Sequence, residues 1–344
     1  MGINKISKIT NFIVFIGIAL LFSSCNEDSQ IVEPEAPLSE TVEMAYPELK
    51  GGINEGFYEG KKVMYEEVNG DYVYEGDILL DKKFVTDNYV ELIYNKGDKI
   101  DQTRSVGRTS RRWPNNKVYF LINRNLPKKY RVHDAISHWE AKTNLKFVKR
   151  KNQKNYIYFT PGSGCSSFVG MTGGRQNINL APGCTTGSTI HEIGHAIGLW
   201  HEQSRVDRDD YITVNYDNVK NGYDHNFKTY FERGLDGKEY SSMLDFNSIM
   251  LYSSYAFSKN GKPTITKKDG STYKTKRNRL SKADVAGVNI MYSVIDKNAS
   301  YKNGYWYYIS AVNVYRQHNL WWYYSYSTRR WRQVVHSDGS WYWV

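Results

Sequence analysis

The sequence predicts an α+β fold, and three observations carry that expectation. Strand-like runs at Lys117-Val118-Tyr119-Phe120-Leu121-Ile122, Leu145-Lys146-Phe147-Val148 and Tyr156-Ile157-Tyr158-Phe159 surround one helical pattern from about 129 to 143. In that pattern Ala135, Ile136, Trp139 and Lys142 are spaced for a single face. Further on the chain is loop-rich, with one more helical stretch near 281–291. A length of 344 residues and a hydrophobic content of 40% supply roughly two domains and an ordinary core, which excludes a wholly disordered or fibrous chain.

Taken from the amino end, Lys5 and Lys8 precede an apolar stretch from Phe12 to Phe22, which then meets Ser23-Ser24-Cys25. Residues 1–25 have the length and flanks of a signal peptide and are too short to span a bilayer as a helix. The small pair before Cys25 resembles a bacterial lipoprotein box, although Phe22 stands where Leu is usual. Cys25 is then either the lipidated first residue of an exported, membrane-anchored protein or a residue lost or idle in a secreted one. Nothing later is apolar for long enough to span a bilayer.

Residues 26–48 are rich in Glu and Pro and read as a flexible tether. From about 50 to 103 short alternating runs, such as Asp71-Tyr72-Val73-Tyr74 and Tyr89-Val90-Glu91-Leu92-Ile93-Tyr94, predict a few strands. The polar, basic run 103–112 has no periodicity and is a natural site for proteolytic nicking. Charge divides the chain at that run. The overall +10 combines a segment 26–103 with 7 Lys and 19 acids and a body 104–344 with 37 basic and 17 acidic groups. An acidic segment ahead of a basic body points to an internal partner that neutralises the body until removed. No nucleic-acid motif accompanies the positive charge, so no nucleic acid is expected as a partner. The last stretch, 301–344, holds 15 aromatic residues and predicts a small β module, with a glycan or another surface polymer as candidate ligand if its rings are exposed.

Chemistry concentrates in His191-Glu192-Ile193-Gly194-His195-Ala196-Ile197-Gly198-Leu199-Trp200-His201. On a helix His191 and His195 project from one face and can hold one Zn²⁺ through nitrogen. Glu192 stands beside them as a general base rather than a ligand. Gly198 permits a turn that returns His201 as third ligand, and three protein ligands leave an open position, as in catalytic zinc sites. Ile190, Ile193 and Ile197 face the core on the other side of that helix.

The extension His201-Glu202-Gln203-Ser204-Arg205-Val206-Asp207-Arg208-Asp209-Asp210-Tyr211 resembles the signature of the astacins, a branch of the metzincin zinc endopeptidases. Ser248-Ile249-Met250-Leu251-Tyr252 is similar to their Met-turn. Asn260-Gly261-Lys262-Pro263-Thr264-Ile265, Leu280-Ser281-Lys282-Ala283-Asp284-Val285 and Gly164-Cys165-Ser166-Ser167-Phe168-Val169-Gly170 extend the match to about 104–294. The resemblance implies a twisted, mostly parallel sheet, an active-site helix and an irregular C-terminal subdomain. It implies hydrolysis of protein or peptide substrates with one zinc ion, Met250 as the floor beneath the metal, and Tyr252 as resting ligand and later oxyanion donor. Glu202 would receive the new amino terminus. Tyr74-Glu75-Gly76-Asp77 resembles the short propeptide motif in which Asp77 ligates the zinc and makes the propeptide its own inhibitor. Family spacing to Trp113 places the cut after Arg104, with Ser105 as the mature start. The domains expected are 1–25 signal peptide, 26–104 acidic linker and propeptide, 105–294 peptidase and 295–344 aromatic β module.

Two departures from the family pattern are visible. Leu251 replaces a usual His, and the second family disulfide is missing at both ends, with Asn144 at one position and no Cys near Tyr292. Of three cysteines, removal of Cys25 leaves Cys165 and Cys184, a pair expected to bridge outside the cytoplasm.

Overall fold

The computed structural model describes residues 43–58, 60–88, 93–94, 111–233, 235, 239–241, 243–292, 303–309, 312–325, 328–337 and 340–344. The expected signal peptide with Cys25, most of the expected tether, and the expected cut between Arg104 and Ser105 lie outside them.

The acidic segment folds as an antiparallel meander of β1 (Gly52–Tyr58), β2 (Lys61–Val68), β3 (Asp71–Tyr74) and β4 (Ile78–Leu80), with β5 (Val85–Thr86) closing back on β1. A further short strand, β6 (Ile93–Tyr94), follows. In the basic body, β7 (Lys117–Ile122), α1 (Tyr130–Lys142), β8 (Lys146–Lys149), β9 (Tyr156–Thr160), β10 (Cys165–Phe168) and β11 (Arg175–Leu180) precede helix α2 (Thr186–Ala196). A loop-rich stretch follows, in which β12 (Ile212–Val214) pairs with β13 (Ile265–Lys267), and α3 (Lys282–Met291) completes the body.

Within the body the sheet is mostly parallel, as expected: β8, β7, β9 and β11 run parallel and only β10 is antiparallel. The whole sheet has ten strands, because β4 of the acidic segment pairs with the edge strand β10, Ser167 opposite Ile78 and Phe168 opposite Leu79. An exposed edge with unpaired amides and carbonyls is a template for an added strand. Here the acidic segment supplies it.

One layer of helix covers the parallel strands. Val132, Ala135, Ile136 and Trp139 of α1 are buried together with Ile190, Ile193 and Ile197, and the Trp139 indole donates to Ile190 O at 3.1 Å. Lys142 departs from the expected face and is exposed; the last turn of α1 runs past the core, where a Lys head stays in water. Cys165 and Cys184 form the expected bridge, joining β10 to the loop before α2. Closing a loop of this length stabilises a fold by about 3 kcal/mol in the chain-entropy treatment. Where the second family bridge is missing, Asn289 of α3 accepts from Asn144 N at 2.8 Å, so a hydrogen bond ties the end of α1 to α3.

The end of the expected tether is not free chain. Ala45 is buried, Ala45 N donates to Gly76 O, and Cys165 N donates to Met44 O. Pairing of these backbone groups and of Glu43 with Arg277 outweighs the flexible composition read from residues 26–48. In the aromatic tail β14 (Tyr305–Ile309), β15 (Val312–Gln317), β16 (Leu320–Ser325), β17 (Arg330–Ser337) and β18 (Ser340–Trp343) form an antiparallel sheet. Its sixth strand is β6, parallel to β18, so the acidic segment contributes to this sheet too.

Candidate metal centre

Helix α2 begins with a reciprocal cap in which Thr185 and Ser188 bond each other's backbone amides, and it is buried from Gly187 to Ala196. His191 and His195 therefore stand on a fixed, dry helix. The helix stops before Gly198, whose φ of 110° favours glycine, and the chain turns back to bring His201 beside them. Ring centroids of His195 and His201 lie 4.7 Å apart, and those of His191 and His201 5.4 Å. Gly194 has a separate purpose. A Cβ there would sit 2.7 Å from Met250 Sδ, so glycine lets the Met250 floor approach the helix.

The fourth group is Asp77, at the β3–β4 turn. Its carboxylate lies 3.2 Å from His191 Nε2, 3.3 Å from His201 Nε2 and 3.7 Å from His195 Nε2, and all four side chains are buried. One ligand atom from each falls within 4.8 Å of the others. The outer nitrogens settle the ring tautomers. His191 Nδ1 donates to Ile249 O and His195 Nδ1 to Leu199 O, each at 2.8 Å, and His201 Nδ1 donates to a Glu75 oxygen at 2.7 Å. The Nε2 atoms then face the Asp77 carboxylate, an arrangement that calls for a cation among them, either a metal ion or a proton on His201. Asp77 Oδ1 and His195 Nε2 have no other hydrogen-bond partner. Three imidazoles and a carboxylate make a zinc donor set, so the residues fit that ion.

The electrostatics agree with the geometry. Burial opposes charge on Asp77, yet the charge of the facing His201 and the close approach of the other two rings hold its carboxyl well below the usual range. Burial also opposes charge on His201, but Asp77 and Glu75 outweigh it and push the ring up to about 9. Burial drives His195 down to about 3, keeping it a neutral donor of a lone pair. Glu192 is buried with neither carboxylate oxygen bonded. Burial and the charges of Asp77 and Glu43 hold its proton well above the usual range. Both of those charges belong to the acidic segment.

Tyr252 is buried, its ring 4.5 Å from that of His201, and its hydroxyl donates to Glu75 O at 2.6 Å. Glu202 lines a cavity of about 90 Å³ and accepts from Asp245 N at 2.9 Å; the low-dielectric surroundings of its carboxyl push it up to about 8. The structure thus gathers every expected metal and base residue at one place, with Met250 beneath, Tyr252 alongside and Glu202 behind the Met-turn.

Several contributors were not visible in the sequence. Asp284 closes a reciprocal cap on α3 with Ser281 and also accepts from Ser248 Oγ at 2.7 Å and Ile249 N at 3.0 Å. It thereby holds the turn whose carbonyl orients His191. Glu43 pairs with Arg277 at 3.0 Å, while Arg277 donates to Ile249 O and Leu251 O. Glu75 pairs with the buried Arg233 as well as with His201. Glu75 and Asp284 sat inside quoted motifs, though with no role assigned; Glu43, Arg233 and Arg277 carry no local signal.

A family model described as Astacin, a peptidase family, matches residues 105–293. The chain is 38% identical over 242 residues to "Zinc metalloproteinase nas-4" of Caenorhabditis elegans, covering 68% of this chain and 73% of that protein. It is 39% identical over 199 residues to "Blastula protease 10" of Paracentrotus lividus, covering 54% of this chain and 33% of that longer protein. Among solved structures, "High choriolytic enzyme 1 (HCE-1), a hatching enzyme zinc-protease" from Oryzias latipes aligns with a TM-score of 0.49 at 28% identity, over 57% of this chain and 98% of that one. Together the family model and the first of these relatives place the chain in the astacin family of zinc metalloendopeptidases, enzymes with one catalytic zinc.

Proposed function

We propose that the chain is made as a latent endopeptidase, in which residues 26–104 form a propeptide that blocks the centre with Asp77 until a cut near Arg104 frees a domain spanning 105–294. The observation that carries this reading is the position of Asp77 among His191, His195 and His201, immediately before the strand that closes the edge of β10. The three imidazoles would hold the zinc, which supplies a Lewis acid that polarises the scissile carbonyl and lowers the pKa of water. Glu192 takes the proton of the attacking water and delivers it to the leaving amine. Tyr252, released from Glu75 O, donates its hydroxyl to the carbonyl oxygen as that atom gains charge. Met250 packs beneath the site, and Glu202 binds the new ammonium group at Ser105. Protein or peptide chains are the substrates.

Export follows from residues 1–25, with Cys25 as a lipid anchor in a bacterial envelope; mass spectrometry of the mature amino terminus tests that assignment. No helix among the described residues is long and apolar enough to cross a membrane. The test of the peptidase reading is digestion of a mixed unfolded protein by the chain trimmed to begin at Ser105, with and without a zinc chelator, followed by mapping of the new termini. Internal cleavage that stops with chelator is expected, and intact substrate from zinc-loaded protein would refute the reading.

One observation favours a second activity in residues 295–344. Tyr315 lies opposite Trp322 and Tyr324 opposite Trp331, so these rings share one face of the module sheet, while Val314, Tyr323, Val334 and Trp341 fill the other. Trp331 is 47% exposed. Such a face suits ring stacking on a glycan or similar surface polymer. Retention of the full chain on insoluble polysaccharide, weakened in Trp331→Ala, is the expected result; equal retention of both proteins would remove the assignment.

A further inference from the structure

The positive charge of the body is unevenly placed. Residues 111–190 hold 14 Lys and Arg against two acids, Asp134 and Glu140, and both acids lie on α1. Alternation along the strands separates two faces of the sheet. Val118, Ile157, Phe159, Ile178 and Leu180 are buried in the core with α1 and α2. The positions between them point the other way: Lys117 and Tyr119 of β7, Tyr156 and Tyr158 of β9, and Arg175 of β11. Lys146 and Val148 of β8 join this outer face, opposite Lys117 and Tyr119, and Arg175 lies opposite Tyr156. All of these residues are half-buried or exposed.

Arg150, just past β8, returns over the same face. Its guanidinium lies 4.2 Å from the Tyr156 ring centroid, and that of Arg175 lies 3.9 Å from the Tyr158 centroid. One further bond pins each, Arg150 Nε donating to Gln153 O at 2.7 Å and Arg175 Nε to Asn177 Oδ1 at 3.1 Å. Among the described residues the terminal nitrogens of both, and the ammonium groups of Lys117, Lys146 and Lys154, have no acidic partner. Lys117 and Tyr119 also line a cavity of about 320 Å³, which Asn115, Gln153 and Lys154 share. The strands of the acidic segment extend the sheet beyond β10, at the end away from β8.

We propose that this outer face, together with the cavity, is a docking surface for an anionic polysaccharide. Five cations with no acid among them attract a polyanion. The two stacked guanidiniums are already oriented, and their open ends match the paired oxygens of a sulfate or carboxylate. Lys146 and Arg175 stand on strands three spacings apart, ~14 Å, so the surface suits a chain of repeated charges rather than one small anion. In the cavity the amides of Asn115 and Gln153 and the Tyr119 hydroxyl can bond the hydroxyl groups of a sugar. A single nucleic-acid strand binds by stacking bases on aromatic rings, and here guanidiniums stack on the rings of Tyr156 and Tyr158 instead. The surface differs from the Trp331 face in calling for charge on the polymer, and it does not depend on hydrolysis.

The test measures binding of the uncut full-length chain, as salt is raised, to heparin, which is sulfated, to polygalacturonate, which is carboxylated, and to a single-stranded DNA oligonucleotide of matched charge. A patch variant combines Lys117→Gln, Lys146→Gln, Arg150→Gln and Arg175→Gln. A control removes the same charge elsewhere on the exposed surface, through Lys259→Gln, Lys262→Gln, Lys268→Gln and Lys274→Gln. At least one anionic polysaccharide should bind the wild type; the patch variant should lose about tenfold or more and show a flatter salt dependence, while the control stays within about twofold. Lys117→Gln with Lys146→Gln, which disturbs neither stacked guanidinium, should lose part of the affinity and keeps the test open if the fourfold variant does not fold. Preference for heparin or for polygalacturonate identifies the anion as sulfate or carboxylate. Equal weakening in patch and control variants overturns the proposal, because net charge alone would then explain the binding. So does failure of the wild type to bind either polysaccharide. Tighter binding of the oligonucleotide than of both polysaccharides, lost in the patch variant, would reassign the surface to nucleic acid.

Discussion

Glu192→Ala in the processed chain should lower peptide hydrolysis by about a thousandfold while zinc content stays at one ion per chain. General acid–base groups contribute about 10²- to 10⁴-fold, and Glu192 is expected to serve at both proton transfers, to the attacking water and to the leaving amine. The structure leaves its role free of structural duty. Both carboxylate oxygens lack hydrogen-bond partners, so truncation breaks no bond that holds α2 or the His ring orientations. The Nδ1 partners that the processed chain keeps, Ile249 O for His191 and Leu199 O for His195, do not involve it. Initial rates on a fluorogenic peptide, set beside metal analysis of the same sample, measure the effect. A fall of less than tenfold with zinc retained would mean that another group moves the proton.

Asp77→Ala in the uncut full-length chain should raise activity by about tenfold or more, yet leave it below that of the chain starting at Ser105. A carboxylate is a competent zinc ligand, and losing it opens the fourth position. The rest of the blockade survives that substitution. Ile78 and Leu79 still pair with Ser167 and Phe168, Glu75 still holds Arg233 and His201, and Glu43 still holds Arg277. Two of these contacts are ion pairs with buried partners, where removing one charge is costly, so the segment stays seated. The measurement is the initial rate of uncut chain, with its mass confirmed before and after the assay. Full activity from Asp77→Ala alone would show that strand pairing and the two Glu contacts do not obstruct the cleft; no gain at all would show that Asp77 is not the latch.

How far the sequence could be read depended on the range over which each feature acts. The i, i+4 spacing of His191 and His195 is a property of a single helix, and Gly198 marks its own turn, so three imidazoles able to hold a metal and a carboxyl beside them were legible in eleven consecutive residues. Trp139 on α1 and the alternation in β7 and β9 are local in the same way. Lys142 was misplaced on the buried face because periodicity alone does not say where a core ends. The tether was misread at Glu43 to Tyr46 for a related reason: Glu and Pro content describes the free chain, and not the backbone groups of Gly76 and Cys165 that this segment finds.

The residues by themselves determined the chemistry: a helix that must carry two imidazoles on one face, a base beside them, a glycine turn to a third ligand, and an acidic segment opposite a basic body. Tertiary structure alone decided how that segment is used. Asp77 reaches His191 across 114 positions and Arg277 reaches Glu43 across 234, while Asp284 steadies the turn at Ile249 from a different helix. β4 extends the peptidase sheet and β6 the aromatic one, linking both to a single segment. Pairings at such separations follow from which strand lies at which edge and which charge is left buried without a partner. Those are properties of the packed chain, set by desolvation and hydrogen-bond satisfaction, and no window of neighbouring residues contains them.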